Sequence, residues 1–146
     1  MLMNCMEVIV AQSDAKKAHD IVSALFKASQ VAKISIIHVP GDLETRTRID
    51  QRALRQLSRI ELSFNKPGEE GILQPLQAAL EELNTGKPSP VHEIRWGILL
   101  FDGSGKERAA VFLDQSGQFM QIGDTDLQVQ GKTLAWLKKS AHDAFQ

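Results

Sequence analysis

The sequence contains no tyrosine, only two tryptophans and six phenylalanines, and a single cysteine, Cys5. Proteins that bind single-stranded nucleic acid use several exposed aromatic rings on which the bases stack, so this small supply of rings argues against that class. Cys5 has no second cysteine to pair with, which excludes a scaffold held by internal disulfides. We therefore expect neither a nucleic-acid partner nor a disulfide-dependent fold.

Charge of one sign and long apolar runs are also lacking. The formal net charge is −1, so no overall field attracts nucleic acid or an anionic membrane. No apolar run approaches the roughly 18 residues that a membrane-spanning helix requires. The four histidines are scattered and have no cysteine partner, whereas a zinc site needs three or four converging ligands. The sequence thus predicts no membrane span, no metal ion and no cofactor.

The sequence contains enough hydrophobic residues to form the core of one domain. The chain has 146 residues, of which 42% are hydrophobic, and a chain of this size can bury a core without metal or disulfide support. We expect residues 1–146 to form a single soluble domain. Residues 1–12 are ambiguous, because Glu7–Ala11 is typical of a short strand while the segment also resembles the remnant of an export signal. The first alternative fits a cytoplasmic protein, the second a periplasmic or exported one.

The segment Glu93–Ile122 predicts three consecutive antiparallel strands. Every second residue of its first strand is large and apolar, as expected when one face is buried; these residues are Ile94, Trp96, Ile98 and Leu100. Two turns of the pattern Asp-x-Ser-Gly, at 102–105 and 114–117, separate the strands. We therefore expect Trp96 to lie in the core.

Helices and strands alternate in the first half of the chain. Ser13 is predicted to cap a first helix and Thr47 a second, with strands at 33–39 and 59–64. A third helix begins near Glu70, and a closing helix follows Gly131. The inward stripe predicted for the first helix by its 3.6-residue spacing consists of Ala18, Ile21, Val22, Leu25 and Phe26.

This order of elements predicts an α+β fold with a single mixed, mostly antiparallel sheet that ends in a meander. The segments 40–57 and 65–92 each contain a helix, so they can act as crossovers between parallel neighbours. We expect the helices to pack mainly on one face of the sheet.

The candidate chemistry is sparse, and we assign no catalytic residue. Gly103–Lys106 looks like a phosphate loop, but Glu107 and a strand follow the lysine, which favours a hairpin turn. We single out two histidines with a nearby carboxylate in the sequence, His38 with Asp42 and His92 with Glu93. Either pair could supply a general base with its orienting group, which keeps an enzyme open as an alternative.

Arginine is the one residue type with an unusual distribution. Four arginines fall within roughly 60° of one another on the wheel of the second helix; we call this set the arginine face, Arg48, Arg52, Arg55 and Arg59. Guanidinium forks suit carboxylate or phosphate partners, so the face predicts binding of an acidic protein or anionic ligand. The alternative is a solvated outer face that nearby carboxylates neutralise, namely those of Asp42, Glu44, Asp50 and Glu61.

The pattern Arg95-Trp96-Gly97-Ile98, followed by Phe101-Asp102 and a closing Trp136-Leu137, resembles short, often exported bacterial proteins of unknown function. The likeness covers residues 33–139 and also includes Gly105, Asp114, Gly117 and Gly131. It rests on fold-forming residues, so it implies a bacterial source and export but no site residue.

Together these patterns favour a non-enzymatic binding or interaction protein, of the inhibitor or immunity type. The alternative is a small hydrolase or other enzyme that uses a histidine–carboxylate pair. A third hypothesis is self-association into a homo-oligomer through an edge of the sheet.

Overall fold

The computed structural model describes residues 2–28, 30–39, 49–57, 60–63 and 70–140. Four helices and seven strands follow one another in these ranges: α1 Leu2–Lys27, β1 Lys33–His38, α2 Gln51–Leu57, β2 Ile60–Ser63, α3 Glu70–Leu80, β3 Lys87–Pro88, β4 Trp96–Phe101, β5 Glu107–Leu113, β6 Phe119–Ile122, β7 Thr125–Gln128 and α4 Lys132–Ser140. A 3₁₀ helix, Glu81–Thr85, joins α3 to β3.

The strands form one sheet in the order β2-β1-β4-β5-β6-β7-β3. The α+β class, the single sheet and the meander of β4, β5 and β6 are confirmed. Every described pairing is antiparallel, so the prediction of parallel neighbours across the two helical connections is wrong. The reason is that β2 and β4 lie on opposite sides of β1, each antiparallel to it. A helix in a connection permits a parallel crossover but does not require one.

The two faces of the sheet are covered unequally. The larger core cluster joins one face to α1, α3 and α4, and it contains Trp96, which is only 6% exposed. The smaller cluster joins the opposite face, through Leu99 and Phe112, to the short helix α2 and to Val91 and Ile94. The prediction that Ile94 shares the face of Trp96 is therefore wrong, because β4 begins only at Trp96 and Ile94 lies outside its alternation. The predictions that Trp96 is core and that the helices pack mainly on one face are therefore confirmed.

Helix α1 begins at Leu2 and runs through Ser13, so the predicted strand at Glu7–Ala11 and the predicted cap at Ser13 are wrong. The β-branched run that favoured a strand is absorbed into a helix whose later turns bury Ala15, Ala18, Val22 and Leu25. Ile21, which was expected to face inward, is 49% exposed. It lies about 80° from the centre of the buried stripe on the helical wheel, too far to reach the core.

Helix α2 begins later than predicted. Residues Ile49 and Asp50 precede it in non-helical conformation, and Asp50 Oδ1 accepts a hydrogen bond from Ala53 N at 2.9 Å. Asp50 is therefore the N-cap, and Thr47, the predicted cap, lies outside the described residues. Ile49 and Leu54 are buried.

The N-terminus of α4 is capped by a residue from another element. Glu82, in the 3₁₀ helix, is 3% exposed. Its Oε1 accepts from Gly131 N at 3.1 Å, and its Oε2 accepts from Thr133 N at 2.6 Å and from Thr133 Oγ1 at 3.1 Å. The first N–H groups of a helix have no intrahelical acceptor and carry positive partial charge. Glu82 therefore satisfies α4 and fixes it to the end of α3.

We expect Glu82→Gln to lower the free energy of unfolding by about 2–3 kcal/mol, because an amide has one acceptor oxygen and leaves a buried N–H without a partner. Glu81→Gln is the matched control, since the neighbouring Glu81 side chain is 54% exposed and only pairs with His19; it should cost less than about 1 kcal/mol. Urea unfolding measures both, and equal costs would contradict the capping role.

The two Asp-x-Ser-Gly turns differ in their surroundings. Gly105 and Gly117 both have positive φ, +84° and +72°. A Cβ on Gly105 would have no neighbour within 4 Å, whereas a Cβ on Gly117 would lie 2.3 Å from Leu134 Cβ in α4. The second turn is thus pressed against α4, and the first is free of such contact. In the first turn Asp102 Oδ1 accepts from Ser104 N and Lys106 N, which confirms a hairpin turn at Gly103–Lys106.

We expect Gly105→Ala to cost about 1 kcal/mol, the penalty of a left-handed conformation alone. Gly117→Ala pays the same penalty and also forces Leu134 to move, so its cost should reach about 3 kcal/mol. Thermal or urea unfolding of the two variants provides the comparison. A Gly117→Ala protein as stable as Gly105→Ala would show that the turn does not press on α4 in solution.

Candidate functional site

The arginine face is only partly described. Arg48 and Arg59 lie outside the described residues. Arg52 is exposed on α2. Arg55 makes a two-pronged ion pair with Glu107 of β5, Nη1 to Oε1 at 2.7 Å and Nη2 to Oε2 at 3.0 Å, and its guanidinium lies 5.5 Å from the centre of the Phe112 ring. The Arg55 side chain is thus bound to two residues of β5, Glu107 and Phe112.

The partner of Arg55 is not one of the carboxylates that the sequence offered. Glu107 lies 52 positions away in the chain, so helical spacing cannot reveal it. Among the described residues, Arg52 is the member of the arginine face that makes no ion pair. The binding role predicted for all four arginines stays a prediction.

A cleft opens where β4 begins and where the β5–β6 hairpin turns. Its volume is about 340 Å³. We use "the cleft" for the space lined by Pro90, His92, Glu93, Arg95, Asp114, Gln115 and Phe119. It joins the extended segment before β4 to the second Asp-x-Ser-Gly turn, so residues far apart in sequence meet there.

Arg95 is held in the cleft through both its side chain and its backbone. Its Nη2 lies 2.5 Å from Glu93 Oε1. Its N donates to Leu113 O at 2.8 Å, and its O accepts from Val39 N at 2.9 Å. The Arg95 side chain is 11% exposed and that of Glu93 is 38% exposed. The Arg95 guanidinium therefore lies deeper than the Glu93 side chain, although Glu93 Oε1, the oxygen that Arg95 pairs with, is itself buried.

The opposite wall of the cleft is built by the hairpin turn. Ser116 Oγ donates to the Asp114 carboxylate, with distances of 2.9 Å to Oδ1 and 2.8 Å to Oδ2, and Phe119 N donates to Oδ1 at 3.3 Å. Phe119 itself packs against the smaller core cluster and is half-buried. Backbone and hydroxyl donors thus hold Asp114 in place beside an aromatic ring.

His92 and Glu93 both line the cleft, which places the second predicted histidine–carboxylate pair at one site. His92 is exposed. The Glu93 carboxylate is bound by Arg95, and no hydrogen bond joins the imidazole to it among the described residues. Proximity in sequence therefore brings the two groups to the same opening without making them a bonded pair.

His38 lies behind the cleft. Its ring stacks on Trp96, with centroids 3.7 Å apart and an angle of 23° between planes. Its Nδ1 lies 3.1 Å from Arg95 O; since a carbonyl only accepts, Nδ1 carries the proton. Burial lowers the pKa of His38, the bond to Arg95 O raises it by less, and the Arg95 charge lowers it further. Its predicted partner, Asp42, lies outside the described residues.

One histidine site was missed by the sequence analysis. His19 of α1 lies between two carboxylates, with Nε2 2.8 Å from Glu81 Oε2 and Nδ1 3.3 Å from Asp20 Oδ1. The space beside it is about 10 Å³, which is about one water molecule. Adjacency to Asp20 was the only sequence signal, and Glu81 is 62 positions away. The group links α1 to the 3₁₀ helix.

In the ranges that the structure covers, no cluster of three or more His, Cys, Asp or Glu side chains is arranged to hold a metal ion. None of the described helices has the length and apolar character to span a bilayer. Comparison of the chain with protein-family models, with curated proteins and with solved structures gives no match. The resemblance to exported bacterial proteins accordingly stays a prediction.

The lowered pKa of His38 predicts how stability depends on pH. The folded state binds this proton less tightly than the unfolded state does, because the folded pKa lies below the ordinary histidine pKa of 6.5. The stability that neutral His38 contributes is therefore complete above pH 6.5 and is lost as the pH falls through the lower folded pKa. We expect His38→Phe, which keeps a stacking ring, to remove this part of the pH profile of the unfolding midpoint. Parallel profiles for the two proteins would contradict the assignment.

Proposed function

We propose that this protein is a non-enzymatic binding protein, of the inhibitor or immunity type, and that the cleft is where its partner docks. The observation that carries the proposal is the Arg95–Glu93 ion pair, both of whose residues line an opening of about 340 Å³. Binding sites place a small number of oriented polar groups in a concave surface. Arg95 is fixed through its backbone as well as its side chain, so the polar groups are oriented before any partner arrives.

The state of the carboxylates supports binding over proton transfer. The Glu93 carboxylate is bound by Arg95, and that of Asp114 by Ser116 and Phe119 N. Groups held in this way present fixed charge to a partner, which favours recognition and reduces the entropy lost on docking. A general base, by contrast, needs an orienting group within hydrogen-bond reach.

A hydrolase or other enzyme is the second candidate, because His92 shares the cleft with Glu93 and Asp114. In that mechanism His92 would accept a proton from water or substrate, and a carboxylate would orient the imidazole. The reaction requires Glu93 to leave Arg95 or His92 to turn towards Asp114.

An acidic protein or anionic ligand at the arginine face remains the hypothesis for a second contact. Its support is Arg52, exposed on α2 and without an ion pair to any described residue. Arg55 would have to give up Glu107 to take part. This cost makes the arginine face a weaker candidate than the cleft.

Besides the outer strands β2 and β3, the first half of β5 offers an edge for self-association, but this edge is obstructed. This strand pairs with β6 only at Phe112 and Leu113, so its first residues have no described strand on that side. The pairing with β4 passes from Leu100–Ala109 to Phe101–Glu107, which leaves Arg108 as an extra, bulged residue. A bulge and charged side chains are features that prevent strand addition, so we do not propose this edge as the contact.

The test is NMR mapping of a library of short peptides on isotope-labelled protein, with His92→Ala and Arg52→Glu as variants. We expect the peptides that bind to shift amides at 90–95 and 114–119 and to be recovered unchanged. Arg52→Glu should leave the affinity unchanged, and His92→Ala, which removes one exposed side chain of the lining, should weaken binding without abolishing it, since neither removes the Arg95–Glu93 pair.

Two outcomes would overturn the proposal. Conversion of a bound peptide by the wild type and not by His92→Ala would establish the enzyme. Shifts confined to α2 that disappear in Arg52→Glu would establish the arginine face, provided that Lys139→Glu, the same charge change on exposed α4, leaves binding intact.

A further inference from the structure

We propose that the cleft recognises a cationic group, the ammonium or guanidinium at the end of an aliphatic stem, as in a lysine or arginine side chain. This inference rests on the proposed function and adds the chemistry of the partner. Its basis is the charge, the wall composition and the size of the cleft.

The charge that the cleft presents is negative. Its described lining contains two carboxylates, Glu93 and Asp114, and one guanidinium, Arg95. Arg95 is 11% exposed and is already paired, whereas Glu93 is 38% exposed. Glu93 Oε1 is buried against Arg95, so the charge open to a ligand is that of the remaining Glu93 oxygen and of Asp114. An anionic group would be repelled by both carboxylates, and a cation would be attracted by both.

The walls suit the stem that carries such a cation. Pro90 and Phe119 supply apolar surface on the lining. An aromatic face attracts ammonium and guanidinium ions, and lysine and arginine lay their methylene groups along apolar surface while keeping the charged end in polar surroundings. Phe119 is held next to Asp114 by its own N–H, so ring and carboxylate present a combined site.

The volume limits the ligand. A space of about 340 Å³ lies near the lower end of the ~300–1,000 Å³ of small-molecule pockets. One long side chain or a small amine fits this space better than a nucleotide or a large cofactor.

A second ion pair on the same sheet provides the comparison. Arg55 and Glu107 form a bidentate pair whose side chains are 33% and 34% exposed, and Glu107 does not line the cleft. Removing either glutamate deletes one carboxylate and leaves one arginine without that partner. Only the loss of Glu93 should affect a cation in the cleft.

The experiment measures amide shifts of labelled protein at low salt with five probes: Nα-acetyl-lysine amide, Nα-acetyl-arginine amide, cadaverine, neutral Nα-acetyl-norleucine amide and glutarate. We expect saturable shifts at 92–95 and 114–119 from the three cations, weakened by added salt. Binding of the acetylated residues but not cadaverine would identify a protein side chain as the source, and the reverse would identify a free amine. Equal binding of the acetylated residues and cadaverine would show that the cleft recognises the charged group itself, whatever molecule carries it.

Variants of matched charge complete the test. Glu93→Gln should weaken cation binding at least about tenfold, the size of one close charge contact, while Glu107→Gln leaves it unchanged. Gln115→Lys adds a competing cation to an exposed residue of the lining and should abolish binding. Gln118→Lys, the same change on the same turn outside the lining, should preserve it. The Gln115 pair keeps the test valid even where Glu93→Gln unfolds the protein.

Two results would overturn the inference in distinguishable ways. Norleucine amide or glutarate binding as tightly as the lysine probe would reject the cation and keep the cleft as a binding site. Absence of shifts at the cleft from every probe and from every library peptide would reject the cation and the proposed function together.

Discussion

The buried carboxylate of Glu82 is the interaction on which the C-terminal half of the molecule depends. It fixes the start of α4 to the 3₁₀ helix, and α4 in turn places Leu134 against Gly117. That contact positions the second Asp-x-Ser-Gly turn, which carries Asp114 and forms one wall of the cleft. A single acceptor deep in the core thus determines where a surface turn lies. Burial makes this effective, because an unsatisfied donor is costly there and nearly free in water.

The cleft and the core meet at Arg95 and Trp96. The guanidinium of Arg95 lines the cleft. Its carbonyl accepts a hydrogen bond from His38, which stacks on the buried Trp96. Adjacent residues on a strand point to opposite sides, so one dipeptide serves the surface and the larger core cluster. The backbone of Arg95 is thus connected to the core beneath the cleft. This arrangement also explains why Arg95 is tolerated inside an apolar strand pattern. Glu93 pairs with its side chain, and Val39 and Leu113 form hydrogen bonds with its backbone.

The sequence predicted what depends on local period and turn chemistry. The alternation at 96–100, the two turns, the buried Trp96 and the α+β class followed from spacing alone. Prediction from the sequence failed where a contact with a distant residue determines the structure. Glu82 reads as one of two adjacent acidic residues, and nothing local shows that it caps a helix beginning 50 positions later. Glu107 as the partner of Arg55, and the meeting of 90–95 with 114–119, are long-range in the same way. At Glu7–Ala11 a β-branched run favoured a strand, but the helix around it prevailed.

The packing of α1 has a consequence for how the chain is made. This helix is complete when residue 27 has been synthesised, yet its main contacts are with α3, the 3₁₀ helix, β3 and β7, all of which begin at Glu70 or later. At a synthesis rate of about 5–20 residues per second, the apolar stripe of α1 waits roughly 2–9 s for its first partner. Throughout that interval a nascent helix with an uncovered face stands outside the ribosome. Cellular folding of this protein is therefore expected to depend on whatever shields that helix, a dependence that refolding of the full-length chain would not reveal.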